Sequence, residues 1–158
     1  MKRDVVAATK PAPRELDDSA LSHLVGYAAS RAALEMRKVF GSHMDGLDLR
    51  IAEFTILMLV KGNGDVNQKQ LGQALDISPP NMAVTLDRMV ERGWVERVRS
   101  TSDRRAQHVH LTAQGRTLAE RAHRISTTME EKALAALSRA ERALLIELLR
   151  KIASRTGR

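Results

Sequence analysis

Hydrophobic positions along the chain recur with a helical period, interrupted once by a stretch that alternates with a period of two. Between residues 17 and 40 the apolar positions Leu21, Leu24, Val25, Ala28, Ala32, Val39 and Phe40 fit one long helix, with Asp17, Asp18 or Ser19 available to cap it. The pattern stops this helix near Gly41. A second helix is expected over 48–61; its last stretch, FTILMLV, is apolar enough to imply burial on several sides, and Gly62, Asn63, Gly64 and Asp65 break it. Asn67 with Gln70 three residues later reads as the capping box of a short third helix that turns Leu71, Ala74 and Leu75 inward. Asp76 and Ile77 make the turn. Ser78 is placed to cap a fourth helix whose first positions are Pro79 and Pro80, where a missing N–H is not needed. In that helix Met82, Leu86, Met89 and Val90 form an inward stripe, and Asn81, Thr85, Arg88 and Arg92 form a polar one.

After Gly93 the period changes. Residues 94–99 are rich in β-formers, and 107–111 alternate Val109 and Leu111 against His108 and His110, so a hairpin is expected with the polar run SDRR at its tip. Thr112 then caps a fifth helix reaching to about Leu137. Ser138 and Glu141 form another capping box, opening a sixth helix that carries Leu144, Leu145, Leu148, Leu149 and Ile152. Residues 1–16 hold Pro11 and Pro13 without any amphipathic period, which predicts a disordered or loosely docked arm. The expected organisation is this arm, an N-terminal helix over 17–47, a helix–turn–helix lobe with its hairpin over 48–111, and C-terminal helices over 112–158. The fold class is mainly α with a small β-hairpin.

Composition narrows the function. At 158 residues, 43% hydrophobic and 28% charged, the chain suits one soluble globular domain, and no apolar run approaches the roughly 20 residues that span a bilayer. The N-terminus lacks the apolar core of a signal peptide, so a cytoplasmic address without membrane contact is expected. The chain has no cysteine, which excludes disulfide staples, thiolate zinc sites, thiol nucleophiles and cysteine-based redox sensing. With no glycine-rich phosphate loop and no nucleophile motif there is no reaction or cofactor to assign, and an enzyme is the weakest of the functional classes. The net charge of +7 favours a nucleic-acid partner. Most of the surplus lies in 112–158, yet 88–105 alone holds six arginines against Glu91, Glu96 and Asp103.

Helix, short helix, tight turn, capped helix with a polar face, then hairpin: this order is that of a winged helix-turn-helix. The major groove of B-DNA admits one α-helix whose N-terminal residues reach base edges. The expected DNA-contact set is therefore Ser78, Pro79, Asn81, Thr85 and Arg88 on the fourth helix, with Gln68 and Lys69 at the start of the third. Arg104 and Arg105 at the hairpin tip are suited to a narrow, electronegative minor groove, with Asp103 holding Arg105 in position.

The run LGQALDISPPNMAVTLDRMVERGWVERVRSTSDRRAQHVHLTAQG resembles the DNA-binding lobe of the multiple antibiotic resistance regulator (MarR) family, most specifically in DRRA followed by an alternating strand and LTAQG. The likeness extends from about residue 20 to the end. It implies flanking dimerisation helices, the first, fifth and sixth interlocking between two copies, and a pseudo-palindromic operator, usually repressed. It also implies release by a small ligand bound between the dimerisation and DNA-binding lobes. The missing cysteine excludes the peroxide-sensing branch of the family.

For the ligand, His23, Tyr27, Ser30 and Arg31 make a polar stripe at i, i+4, i+7 and i+8 of the first helix; His43 sits in the joint and Arg50 opens the second helix. A pocket lined by Leu24, Phe54 and Met58 suits a small aromatic carboxylate or its thioester, with Arg50 or Arg31 neutralising the anion and Tyr27 or Ser30 donating hydrogen bonds. His108 and His110 alternate as metal ligands do, but no carboxylate or third histidine is near them in sequence, so no metal is expected. The competing class is a ligand-blind architectural DNA binder, drawn to DNA by the C-terminal cations.

Overall fold

A computed structural model describes residues 16–99 and 107–154. In chain order the elements are α1 (Val25–Met44), α2 (Ile51–Asn63), β1 (Val66–Asn67), α3 (Gln68–Leu75), α4 (Pro79–Glu91), β2 (Val95–Arg99), β3 (Gln107–Leu111), α5 (Ala113–Ser126) and α6 (Arg139–Ser154). The chain divides into two compact units, Met1–Ala33 and Leu34–Arg158. Among the described residues no helix is long and apolar enough to cross a membrane.

In the first unit the expected helix start is displaced. The Asp17 carboxylate accepts from the Ser19 N–H at 3.0 Å at the start of a single 3₁₀ turn, Ser19–Leu21, and the α-helix proper begins only at Val25. That bond, with the Ser19 hydroxyl, holds the Asp17 carboxyl below its ordinary pKa.

In the second unit α1 runs through Gly41 to Met44 rather than stopping there. A mid-helix glycine costs about 1 kcal/mol, and the buried Phe40 and fully buried Met44 on either side outweigh it. Two left-handed aspartates make the sharp joints: Asp48 (φ 47°) before α2 and Asp76 (φ 52°) after α3. Aspartate tolerates this conformation better than most residues with a Cβ. The α3 capping box forms as expected, the Asn67 side chain accepting from Gln70 N and the Gln70 side chain from Asn67 N, both at 2.9 Å. Ala74, assigned inward by the periodicity, is exposed; α3 is so short that Leu71 and Leu75 suffice to seat it.

The sheet has three strands in the order β1-β3-β2, all antiparallel, one more than the hairpin predicted. Two-residue β1 has no readable period, and its pairing, Val66 with Val109 and Asn67 with His108, exists only in three dimensions. β2 and β3 pair from Val95 with Leu111 to Arg99 with Gln107. The core joins Ile56, Leu57 and Val60 of α2, Leu71 of α3, Met82, Leu86 and Met89 of α4, Trp94, Val95, Val109 and Leu111 of the sheet region, and Ala119 and Ala122 of α5. Val90, read as part of the inward stripe, lies at the core's edge with 37% exposure.

Thr112 caps α5 as expected, accepting from Gly115 N at 2.9 Å while donating to Gly93 O at 2.6 Å. The helix ends at Ser126, well short of Leu137. Ser126 and Thr127 turn their hydroxyls back onto the carbonyls of His123 and Arg124, and irregular turns follow to Ser138. Local hydroxyl bonding of this kind competes with helix continuation. At the start of α6 the Ser138 N–H donates to Glu141 at 2.8 Å, and the Ser138 hydroxyl and N–H hold the Glu141 carboxyl below its ordinary pKa.

Backbone packs directly on backbone where α5 meets the residue that precedes β2. A Cβ added at Gly115 would stand 1.8 Å from the Trp94 carbonyl oxygen, which is backbone and has nowhere to go. Gly115→Ala is expected to cost at least the roughly 1–3 kcal/mol of an overpacked core, read as a lower urea midpoint followed by the fluorescence of Trp94, the single tryptophan.

Candidate nucleic-acid interface

The helix–turn–helix is built by α3, the turn at Asp76 to Ser78, and α4. Gly72 lets the turn close: Ile77 N donates to Gly72 O at 2.9 Å, and a Cβ on Gly72 would meet Ile77 O at 3.1 Å. Gln68 reaches from the start of α3 to Pro79 O at 3.4 Å, tying the first turns of the two helices together, and Lys69 beside it is exposed. Ser78, Pro79, Pro80 and Asn81 are all exposed at the start of α4. Ser78 stands at the cap position but makes no side-chain capping bond. Pro80 at the second helical position has no N–H to give it.

The outward stripe of α4 is shifted by one residue from the one the sequence pattern assigns. Pro80, Val84, Asp87 and Glu91 are exposed, Val84 by 69%, whereas Thr85, Arg88 and Arg92 are half-buried. One residue is about 100° of helix rotation, enough to turn a new face to solvent. Thr85 donates its hydroxyl back to Asn81 O at 2.9 Å.

The cause is Glu53, which the sequence pattern passed over because it sits within an apolar run on α2. Among the described residues it is the one charged side chain in the core, with no exposure. Arg88 Nε donates to Glu53 Oε1 at 2.8 Å, and Nη2 of the same guanidinium binds the same oxygen; Glu53 Oε2 accepts from Arg50 N at 2.8 Å. Arg88 is thus drawn off the expected base-reading face and clamps α4 to the start of α2. Arg92 does the same one turn later: its Nη2 lies 2.8 Å from Asp48 Oδ2, Nη1 donates to Asp48 O at 3.0 Å, and the guanidinium covers the Trp94 ring at 3.9 Å. Arg97 of β2 pairs with Asp87 of α4 at 2.6 Å, fixing the base of the wing against the helix. Asp103, Arg104 and Arg105, the expected wing tip, lie outside the described residues.

This arrangement of α3, α4 and a two-stranded wing is shared with known proteins. The family model described as "MarR family" matches residues 46–106. A relative from Bacillus subtilis (strain 168), an uncharacterized HTH-type transcriptional regulator YpoP, is 31% identical over 100 residues, 63% of this chain and 71% of its own. The transcriptional repressor CouR, solved bound to a 23-mer DNA duplex, is 35% identical with a TM-score of 0.82 over 89% of this chain and 99% of that one. The same repressor bound to p-coumaroyl-CoA gives 33% identity and a TM-score of 0.78, covering 88% of this chain and 98% of that one. This chain is a MarR family member. It is a winged helix-turn-helix transcriptional regulator of the DNA-binding MarR type, and the matched relatives are regulators of transcription.

The residues expected to line a MarR ligand pocket fall in both units. In the first, His23, Ser30 and Arg31 are exposed; the Ser30 hydroxyl donates to Gly26 O at 2.8 Å and the Tyr27 hydroxyl to Asp18 at 2.9 Å. That bond to a carboxylate raises the Tyr27 pKa above the ordinary phenol value. In the second unit His43 Nδ1 bonds Val39 O at 2.8 Å, the Arg50 side chain is exposed, and Phe54 and Met58 are part of the packed interior, Phe54 edge-on to Phe40 at 5.5 Å. Phe54 and Met58 therefore serve packing as well as any pocket. A hollow of about 490 Å³ opens elsewhere in this unit, lined by Leu47, Trp94, Leu118, Arg92, Arg121 and Gln114 among others. Arg92, Arg121 and Trp94 were absent from the expected ligand set because α5 and the end of α4 meet only after folding.

The clamp gives a clear expectation. Arg88→Ala leaves Glu53 buried and uncompensated, which costs roughly 3 kcal/mol or more; the double change Glu53→Met with Arg88→Met restores most of it. Urea midpoints of the two variants against the unaltered protein check this.

Proposed function

We propose that this chain acts as a homodimeric repressor of a pseudo-palindromic operator and is released from it by a small aromatic carboxylate or its coenzyme A thioester. The observation that carries the reading is the exposed first turn and outward stripe of α4 beside a wing anchored through Arg97 and Asp87, in a chain 35% identical to a repressor solved on DNA. On this reading Asn81 and Ser78 meet base edges, Val84 offers an apolar contact to a thymine methyl, and Gln68 and Lys69 hold the backbone. Arg104 and Arg105, positioned with the help of Asp103, enter the minor groove.

Dimerisation is supported by α6, which has no buried residue and exposes Leu144, Leu145, Ile146, Leu148, Leu149 and Ile152 by 41–55%. So apolar a helix surface is covered in a soluble regulator, and a second copy covers it with twofold symmetry. For the ligand we favour the hollow near Trp94, whose aromatic and leucine walls and two guanidiniums match an aromatic anion. The repressor bound to p-coumaroyl-CoA supports that ligand class. The architectural alternative relies on C-terminal cations, and one of these, Lys151, is paired with Glu147 at 2.5 Å.

Fluorescence anisotropy at fixed physiological salt tests the reading. The dimer is expected to prefer its own promoter over random duplex by about 10³-fold or more. Arg105→Ala, and less strongly Arg104→Ala, lower the affinity without changing the fold, and Leu148→Glu gives a monomer in light scattering that binds DNA weakly. Random duplex bound within a few fold of the promoter overturns it.

A further inference from the structure

A second cluster of chemistry lies at the base of the wing. His108 and His110 occupy alternate positions of β3 and so share one face of the sheet. Asp65 immediately precedes β1, and the pairing of Val66 with Val109 and Asn67 with His108 carries it to the same place. The strand ladder thus supplies the carboxylate that the local sequence around the histidines lacks. Asp65 Oδ1 lies 3.1 Å from His110 Nε2 and 3.9 Å from His108 Nδ1, and one ligand atom from each of the three residues falls within 4.8 Å of the others. The two imidazoles are stacked, their centroids 6.4 Å apart.

His110 Nε2 is shut off from solvent and, despite its closeness to Asp65, makes no directed hydrogen bond. Such a nitrogen facing a carboxylate oxygen calls for a positive charge between them. A single proton serves one nitrogen–oxygen pair, whereas a metal ion serves all three donors at once. We propose that Asp65, His108 and His110 form a binding site for a divalent transition-metal ion of the zinc or cobalt(II) class. Bonds of about 2.0–2.2 Å place tetrahedral ligand atoms roughly 3.4 Å apart, so the cluster closes by less than about 1.5 Å to coordinate an ion. Two imidazoles with one carboxylate select such ions over magnesium or calcium, which take oxygen donors. Water fills the remaining positions, reached from the exposed Asp65 side.

The charged surroundings balance, so the negative charge at the site is that of Asp65 itself. Glu96 stands opposite His110 across the β2–β3 ladder, on the same face, and Asn67 stands opposite His108. Lys61, Arg116 and Glu120 border the hollow of about 200 Å³ beside His110, with Arg116 directed at the Leu111 carbonyl. An ion held here joins the turn after α2 to the strand that leaves the wing tip, and so stiffens the wing from its base. This inference rests on the cluster alone and stands apart from the operator and ligand readings.

Titration of tag-free, chelator-stripped full-length protein with Co²⁺ tests it. The expected result is saturation at about one ion per chain with the visible absorption of nitrogen-coordinated cobalt, displaced by Zn²⁺, together with a raised melting temperature. His110→Ala is expected to abolish the bands. Asp65→Asn is expected to weaken binding by more than roughly tenfold, the loss seen when even an indirect partner of a metal ligand is removed. His123→Ala leaves binding unchanged. In the unaltered protein Zn²⁺ shifts the ring-proton resonances of His108 and His110, a measurement that does not depend on any variant folding. Absence of the cobalt bands, their persistence in His110→Ala, or shifts confined to His23, His43 and His123 overturns the proposal.

Discussion

The buried carboxylate of Glu53 ties the fourth helix to the second and sets which side of α4 looks outward. A lone ionised group in an apolar core is among the most costly arrangements a protein contains, and it persists here because the Arg88 guanidinium and the Arg50 amide satisfy it together. To make that bond α4 must rotate Arg88 toward α2, and the rotation decides which residues of α4 look outward. A buried ion pair adds little net stability once desolvation is counted, but this one fixes one angular setting of α4. Arg92, held by Asp48 and lying on Trp94, repeats the constraint a turn further on.

Much of the fold was legible in the sequence because its signals are local. Capping boxes at Asn67 and Ser138, the threonine cap at Thr112, the prolines opening α4 and the alternation in β3 each involve residues within a few positions of one another, and each formed as read. The errors came where a local signal met a longer-range one. Gly41 was passed because Phe40 and Met44 anchor both sides of it in the core. α5 stopped early where two successive hydroxyl residues, Ser126 and Thr127, bond back to the carbonyls of His123 and Arg124.

The candidate interface was legible in outline, and the structure adds which of its polar side chains have partners within the protein. The polar positions of α4 were visible, but a stripe of charge cannot say which of its members is bound to the protein itself, and Arg88 and Arg92 looked the same as free readers. Glu53, hidden among apolar neighbours, could be found only by asking why a buried-looking helix carries an acid at its third position. Asp65 and the two histidines of β3 are separated by the whole helix–turn–helix, and only the β1–β3 pairing unites them.

The contact between Gly115 and the Trp94 carbonyl has a mechanical meaning beyond packing. Backbone meets backbone there without an intervening side chain, and Thr112 is bonded to both Gly93 and Gly115. Such a joint has no slack with which to absorb a displacement. The start of α5 and the residue that leads into β2 are therefore seated directly on one another, and the glycine is where helix and wing meet.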